Sequence, residues 1–176
     1  MGETTDVLEI VSLTPEFAIG PQLSVGDFKQ IRGDGYASIL NARPDDELGT
    51  YLLAPDAEKH ARSLGLEYVH SPTQNHDIFE PDAINRFEQA LVDLPKPIFA
   101  HCKSGTRAAI LWALVASRHR PVETVIAVLR AAGQDLDFLE QELRDSAVEA
   151  RRSPIHLRED ALLALGHSSL LGGTLR

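Results

Sequence analysis

The chain has 176 residues, 43% hydrophobic and 24% charged, proportions that exclude collagen-like and fully disordered proteins and suit a single soluble domain with at most an appended segment. A formal net charge of −9 repels phosphate backbones, so no nucleic-acid partner is expected, and no apolar run approaches the length of a membrane span. One cysteine, Cys102, excludes an internal disulfide; with an N-terminus lacking the basic and apolar parts of a signal peptide, it points to the reducing cytoplasm.

Breakers and hydrophobic spacing divide the chain into alternating strands and helices. Phe17–Gly20 reads as a short strand, and Ser24 is placed to cap a helix carrying Val25, Phe28 and Ile31 that stops at Gly33. Tyr36–Asn41 is a strand ending in the polar turn Arg43-Pro44-Asp45-Asp46. Pro55 suits the first turn of a helix with Ala57, Ala61 and Leu64 inward. Leu66–His70 is the next strand, and Pro81 opens a helix in which Ile84, Phe87, Leu91 and Leu94 recur at three and four residues. Pro97–His101 is a strand that runs straight into Cys102.

Beyond Cys102 the pattern is helical. Ala109, Leu111, Trp112, Leu114 and Val115 line one helix; Val122, Val125, Ile126 and Leu129 mark a second, closed by Gly133. Asp137 with Glu140 resembles a capping box for a third, carrying Leu143 and Ala147. Over residues 153–176, Leu157, Ala161, Leu162 and Leu165 suit one short packed helix followed by a flexible end; the alternative for this stretch is a homo-oligomer or partner contact. The alternation predicts an α/β sandwich: a mostly parallel sheet of four or five strands flanked by helices.

The segment His101-Cys102-Lys103-Ser104-Gly105-Thr106-Arg107 sets a thiol at the carboxyl end of an apolar strand and an arginine at the start of a helix. Ligands of α/β sheets sit outside the carboxyl ends of strands. Gly105 lets the backbone curl, turning the N–H groups of residues 103 to 107 inward. Those donors, the positive helix terminus and the Arg107 fork make an anion cradle of Lys103, Ser104, Gly105, Thr106 and Arg107. The same field, with Lys103, Arg107 and His101 as expected cations, favours Cys102 as a thiolate nucleophile. His101 is also expected to support the loop through a backbone hydrogen bond, and Asn41 and Arg43 to brace it from the neighbouring strand end. The seven histidines include no pair at a metal-ligand spacing, so neither metal nor cofactor is expected.

This loop resembles the active-site loop of the beta-lactamase hydrolase-like, phosphatase-like domain family, and Leu40-Asn41-Ala42-Arg43-Pro44-Asp45-Asp46-Glu47 is similar to that family's Asn-x-Arg-Pro signature. The resemblance covers residues 14–150. It implies a phosphatase-like sandwich like that of dual-specificity and tyrosine phosphatases, and an activity described as phosphatase or sulfurtransferase.

Two features favour sulfur transfer. Only four residues separate Cys102 from Arg107, as in the rhodanese loop, where phosphatases of this fold have five. A shorter loop makes a tighter cradle, matched to one extra sulfur. Ala108 also lacks the hydroxyl that phosphatases carry after the arginine to help the cysteine leave. The leading expectation is therefore a sulfurtransferase that passes sulfane sulfur from a small-molecule donor, through a Cys102 persulfide, to a thiol acceptor. The alternative is a phosphomonoester hydrolase working through a thiophosphoryl Cys102, with Asp77, in the loop Ser71–Glu80, as general acid and His76 as the second candidate. A non-catalytic anion-binding or thiol-redox module is the third.

Overall fold

The computed structural model describes residues 6–152 and 159–166. One sheet is formed by β1 (Val11–Thr14), β2 (Phe17–Gly20), β3 (Ser38–Asn41), β4 (Glu67–His70) and β5 (Ile98–His101), in the order β1-β2-β5-β3-β4. β1 is antiparallel to β2; the other pairings are parallel. Parallel strands are covered on both faces and so read as nearly unbroken apolar runs. Because side chains alternate along a strand, Phe17, Ile19, Leu40, Ile98 and Ala100 enter one apolar cluster, while Ala18, Ile39 and Phe99 enter the other.

The second cluster is closed by α1 (Asp27–Gly33) and α2 (Ala54–Ser63). The first and larger is closed by α3 (Pro81–Asp93), α4 (Thr106–Ala116), α5 (Val122–Ala131), α6 (Glu140–Arg152) and α7 (Glu159–Ala164). The expected α/β sandwich is thus observed, with five strands. Every residue of α4 from Arg107 to Ala116 is buried, as suits a helix apolar all round. Trp112 and Phe99 are both core residues at 0% exposure; Trp112 stacks on Phe17 at 6.2 Å, and its Nε1–H donates to the Ala164 carbonyl at 3.1 Å.

Several local expectations are corrected. β1 falls in a stretch not read as a strand, although Leu13 is a core residue. Ser24 does not cap α1 with its side chain: the Asp27 carboxylate instead accepts from the Ser24 N–H at 2.7 Å and from its hydroxyl at 2.8 Å. Asp137 opens a 3-10 turn (Asp137–Leu139) ahead of α6 and pairs with Arg130 rather than forming a capping box. The expected C-terminal helix is described over Glu159–Ala164, where it carries Ala161 and Leu162; Leu157 and residues 167–176 lie outside the described residues. α7 is held to the body: the Ala164 carbonyl also accepts from the Thr14 hydroxyl at 3.2 Å, and Lys96 pairs with Asp160 at 3.2 Å.

At the far end of α4, away from the Cys102 loop, Glu88 of α3 is 2% exposed and binds Arg118 at 2.5 Å and His119 at 2.6 Å. Burial opposes its ionisation, but the His119 hydrogen bond and the Arg118 charge together hold its carboxyl below the usual range. Among the described residues, no helix is long and apolar enough to cross a membrane.

Candidate active site

Parallel register brings Gly20, His101, Asn41 and His70 side by side across β2, β5, β3 and β4, at the strands' last residues. Each strand therefore delivers its following loop to the same edge. The Cys102 loop follows β5 in the middle of the row and leads into α4.

Gly105 adopts φ +97°, a conformation that favours glycine, and a Cβ there would stand 3.2 Å from the Gly20 carbonyl oxygen. The loop is further tied to the end of β2 by the Gln22 N–H, which donates to the Lys103 carbonyl at 3.1 Å. The curl turns the Gly105 N–H onto Cys102 Sγ at 3.2 Å, a donor placed to stabilise a thiolate. The Thr106 N–H points instead to the Ser104 hydroxyl at 3.5 Å, and that hydroxyl donates to Thr106 Oγ1 at 3.3 Å. Cys102 is 1% exposed, at the floor of a pocket of about 340 Å³ whose wall includes Glu47, Leu48, Asn75, Ile78, Lys103 and Arg107.

Arg107 is 5% exposed and fixed at its outer edge: one terminal nitrogen donates to the Thr73 carbonyl at 2.9 Å, the other to Glu47 Oε2 at 2.8 Å. Its Nε–H is buried and has no hydrogen-bond partner. A buried donor without an acceptor is costly, and here it belongs to a residue lining the same pocket as the nucleophile.

Glu47 is the site residue that sequence reading did not single out, although it closes the stretch Leu40–Glu47. Its only local signal is the i, i+4 spacing from Arg43. Glu47 Oε1 stands 3.3 Å from Arg43 Nε in an ion pair without hydrogen-bond geometry. Arg43, at 4% exposure, also donates to the Leu48 carbonyl at 3.0 Å. Asn41 and Arg43, expected to brace the Cys102 loop, instead bond to each other and to the ends of β3 and β4, and Arg43 reaches the loop's arginine only through Glu47. Asn41 Oδ1 accepts from the Arg43 N–H at 2.8 Å, its Nδ2 donates to the Tyr68 hydroxyl at 2.8 Å, and His70 Nε2 meets the Arg43 carbonyl at 2.7 Å.

His101 supports the loop as expected, its Nδ1 lying 3.3 Å from the Cys102 carbonyl oxygen. It is not a cation. Burial, against the Cys102 backbone hydrogen bond and with smaller contributions from the neighbouring His70 and Arg43, pushes its pKa down to about 4, so it is neutral at pH 7 and adds nothing to the field on Cys102.

Asp77 sits in the 3-10 turn Asn75–Asp77, between Asn75 and Ile78, which line the pocket, but is not itself on the wall; its carboxylate lies 3.4 Å from His76 Nε2. A larger cavity of about 570 Å³ lies away from Cys102, around the α4–α5 turn and α6. It is lined by arginines, and two of them, Arg118 and Arg144, are already paired with acids.

The family described as beta-lactamase hydrolase-like protein, phosphatase-like domain, matches residues 9–118. A beta-lactamase hydrolase-like protein of Xylella fastidiosa (strain Temecula1) is 33% identical over 147 residues, 82% of this chain and 34% of that protein. The chain spans a quarter to a third of the length of the curated relatives it matches. A Neisseria meningitidis structure, solved as that of a candidate phosphatase, shares 28% identity at a TM-score of 0.67, covering 78% of this chain and 97% of that one. Kinase-associated phosphatase, solved with serine in place of its catalytic-site cysteine, shares 16% identity at a TM-score of 0.64, covering 88% and 100%, which is a likeness of fold. The fold is thus phosphatase-like, and it is shared with kinase-associated phosphatase. None of these similarities supports a sulfur donor, so the expected order of the two reactions is reversed: phosphoester cleavage is the better supported.

Proposed function

The chain belongs to the beta-lactamase hydrolase-like protein, phosphatase-like domain family, and on that premise we propose that residues 14–150 form a phosphomonoester hydrolase acting through Cys102. The observation that carries this reading is the pairing of two groups in one pocket: a sulfur that accepts an N–H, and a buried guanidinium whose Nε–H lacks an acceptor. The oxygens of a phosphomonoester supply the acceptor that the Nε–H lacks, and its phosphorus is the electrophile for the sulfur.

The Cys102 thiolate attacks phosphorus, forming an S–P bond as the ester P–O bond breaks. Arg107, Lys103 and the loop amides carry the charge on the phosphoryl oxygens, and Asp77 gives its proton to the departing alcohol. Water then attacks phosphorus, Asp77 takes up its proton, the S–P bond breaks, and inorganic phosphate leaves with the thiolate restored. For Asp77 to act, its carboxylate must turn from His76 toward the pocket mouth.

Sulfur transfer is the second reading, favoured by the four-residue spacer and by Ala108, which offers no hydroxyl beside the nucleophile. In that case the thiolate bonds to the outer sulfur of thiosulfate, sulfite leaves, and an external thiol or cyanide removes the sulfur.

The test is a parallel assay of an aryl phosphate and thiosulfate, with intact-mass measurement of the protein. The hydrolase reading expects phosphate release that Cys102→Ser abolishes and Asp77→Asn slows by about 10²–10⁴-fold. Thiosulfate-dependent gain of one sulfur atom on Cys102, with no phosphate release, would reverse the choice.

A further inference from the structure

We propose that Glu47 sets how strongly this site holds an anion, acting as one carboxylate shared between two buried guanidiniums. Its two oxygens face different arginines: Oε2 accepts from Arg107 at 2.8 Å, and Oε1 stands 3.3 Å from Arg43 Nε. Both arginines are about 95% buried, at 5% and 4% exposure, so neither charge is dispersed by solvent. Two positive charges and one negative leave the cluster with an excess of one positive charge. Arg107 and Glu47 line the pocket over Cys102 and Arg43 does not, so the excess acts on the thiolate or a bound oxyanion through Arg107.

Glu47 and Arg43 therefore act on the ligand through Arg107, and in opposite directions. Neutralising Glu47 leaves two uncompensated cations beside the pocket and strengthens its pull on an anion. It also frees Arg107 from one of its two outer anchors, so the guanidinium no longer holds a fixed plane for the reacting phosphoryl group. Neutralising Arg43 gives Glu47 wholly to Arg107, cancels the excess and weakens anion binding. A purely structural role for this pair predicts losses in the same direction from both substitutions. Glu47 and Arg43 are positioning residues in this scheme, since neither needs to touch the reacting atoms.

The experiment measures tungstate affinity by calorimetry and aryl phosphate turnover on the same preparations, with thermal unfolding as the check on folding. Glu47→Gln is expected to bind tungstate about tenfold more tightly while kcat falls at least about tenfold. Arg43→Gln is expected to bind about tenfold more weakly, and Arg43→Lys to return affinity close to that of the natural protein. Shifts of the same sign for the two glutamine variants, or no shift in either, overturn the proposal. If Arg43→Gln does not fold, Glu47→Asp replaces it: charge kept and reach shortened should leave affinity unchanged and lower kcat, and tightened affinity counts against the scheme. Only the turnover arm rests on the hydrolase reading. Opposite-sign shifts in a protein that releases no phosphate would remove that reading and leave the charge sharing intact.

Discussion

Acidification should loosen the fold through one ring at the edge of the site. His101 is buried at the end of β5, and its pKa falls from the usual 6.5 to about 4, chiefly because burial disfavours the charged ring. The unfolded chain therefore takes up this proton near pH 6.5 and the folded chain only near pH 4. Between those values the unfolded state binds more protons, so stability is full above pH 6.5, declines as pH falls through the window, and has lost the whole contribution by about pH 4. At about 1.4 kcal/mol per pH unit, the loss is roughly 2 kcal/mol at pH 5 and on the order of 3 kcal/mol at the lower limit. The assay is urea unfolding of the natural protein and of His101→Asn at pH 7.5 and pH 5. Asparagine does not titrate and can still donate to the Cys102 carbonyl. The natural protein should lose about 2 kcal/mol more than the variant, a midpoint difference on the order of 1 M urea. Equal pH dependence in the two proteins would refute the assignment, because the constant cost of the substitution cancels in the comparison.

Other substitutions read out the same architecture. Gly105→Ala forces a left-handed φ on a residue with a Cβ and brings that atom to 3.2 Å from the Gly20 carbonyl, so it should cost about 1–3 kcal/mol in denaturant unfolding and depress turnover by tilting the loop amides. Arg107→Lys keeps the charge but loses the planar fork; kcat/KM for an aryl phosphate is expected to fall by about 10²-fold or more, measured by phosphate release. Glu88→Ala leaves Arg118 and His119 without their shared carboxylate and should destabilise by about 3–5 kcal/mol, seen as a lowered Tm, while the pocket over Cys102 retains its lining.

What could be read from the linear chain follows from the range over which each signal acts. The inner parallel strands β2, β3 and β5 declared themselves because every residue in them is buried and most are apolar. α4 was equally plain, since a buried helix has no polar stripe. The Cys102–Arg107 loop was legible because its chemistry is contained in six consecutive residues. Glu47 was not, because what makes it part of the site is a contact with Arg107, sixty positions away, created when β3 and β5 pair in register. The charge of His101 was misjudged for a related reason. A histidine beside cationic residues in sequence looks like one more cation, yet its protonation is decided by how completely the folded sheet excludes water from it. Asp137 and Ser24 show the limit of capping patterns: Asp137 pairs with Arg130 of the preceding helix, and Ser24 donates to the Asp27 carboxylate of its own first turn.

The enclosure of α4 restricts how such a protein can diversify. Its helix is walled on every side by packed side chains, so a change of volume anywhere along it would be transmitted to Arg107 and thence to the nucleophile. Leu48 on one flank and Asn75 on the other are exposed and bear no such burden, unlike their neighbours Glu47 and Ile78. New preferences for what enters the cleft can arise at those two side chains, while the central rod stays unchanged as an inherited chassis.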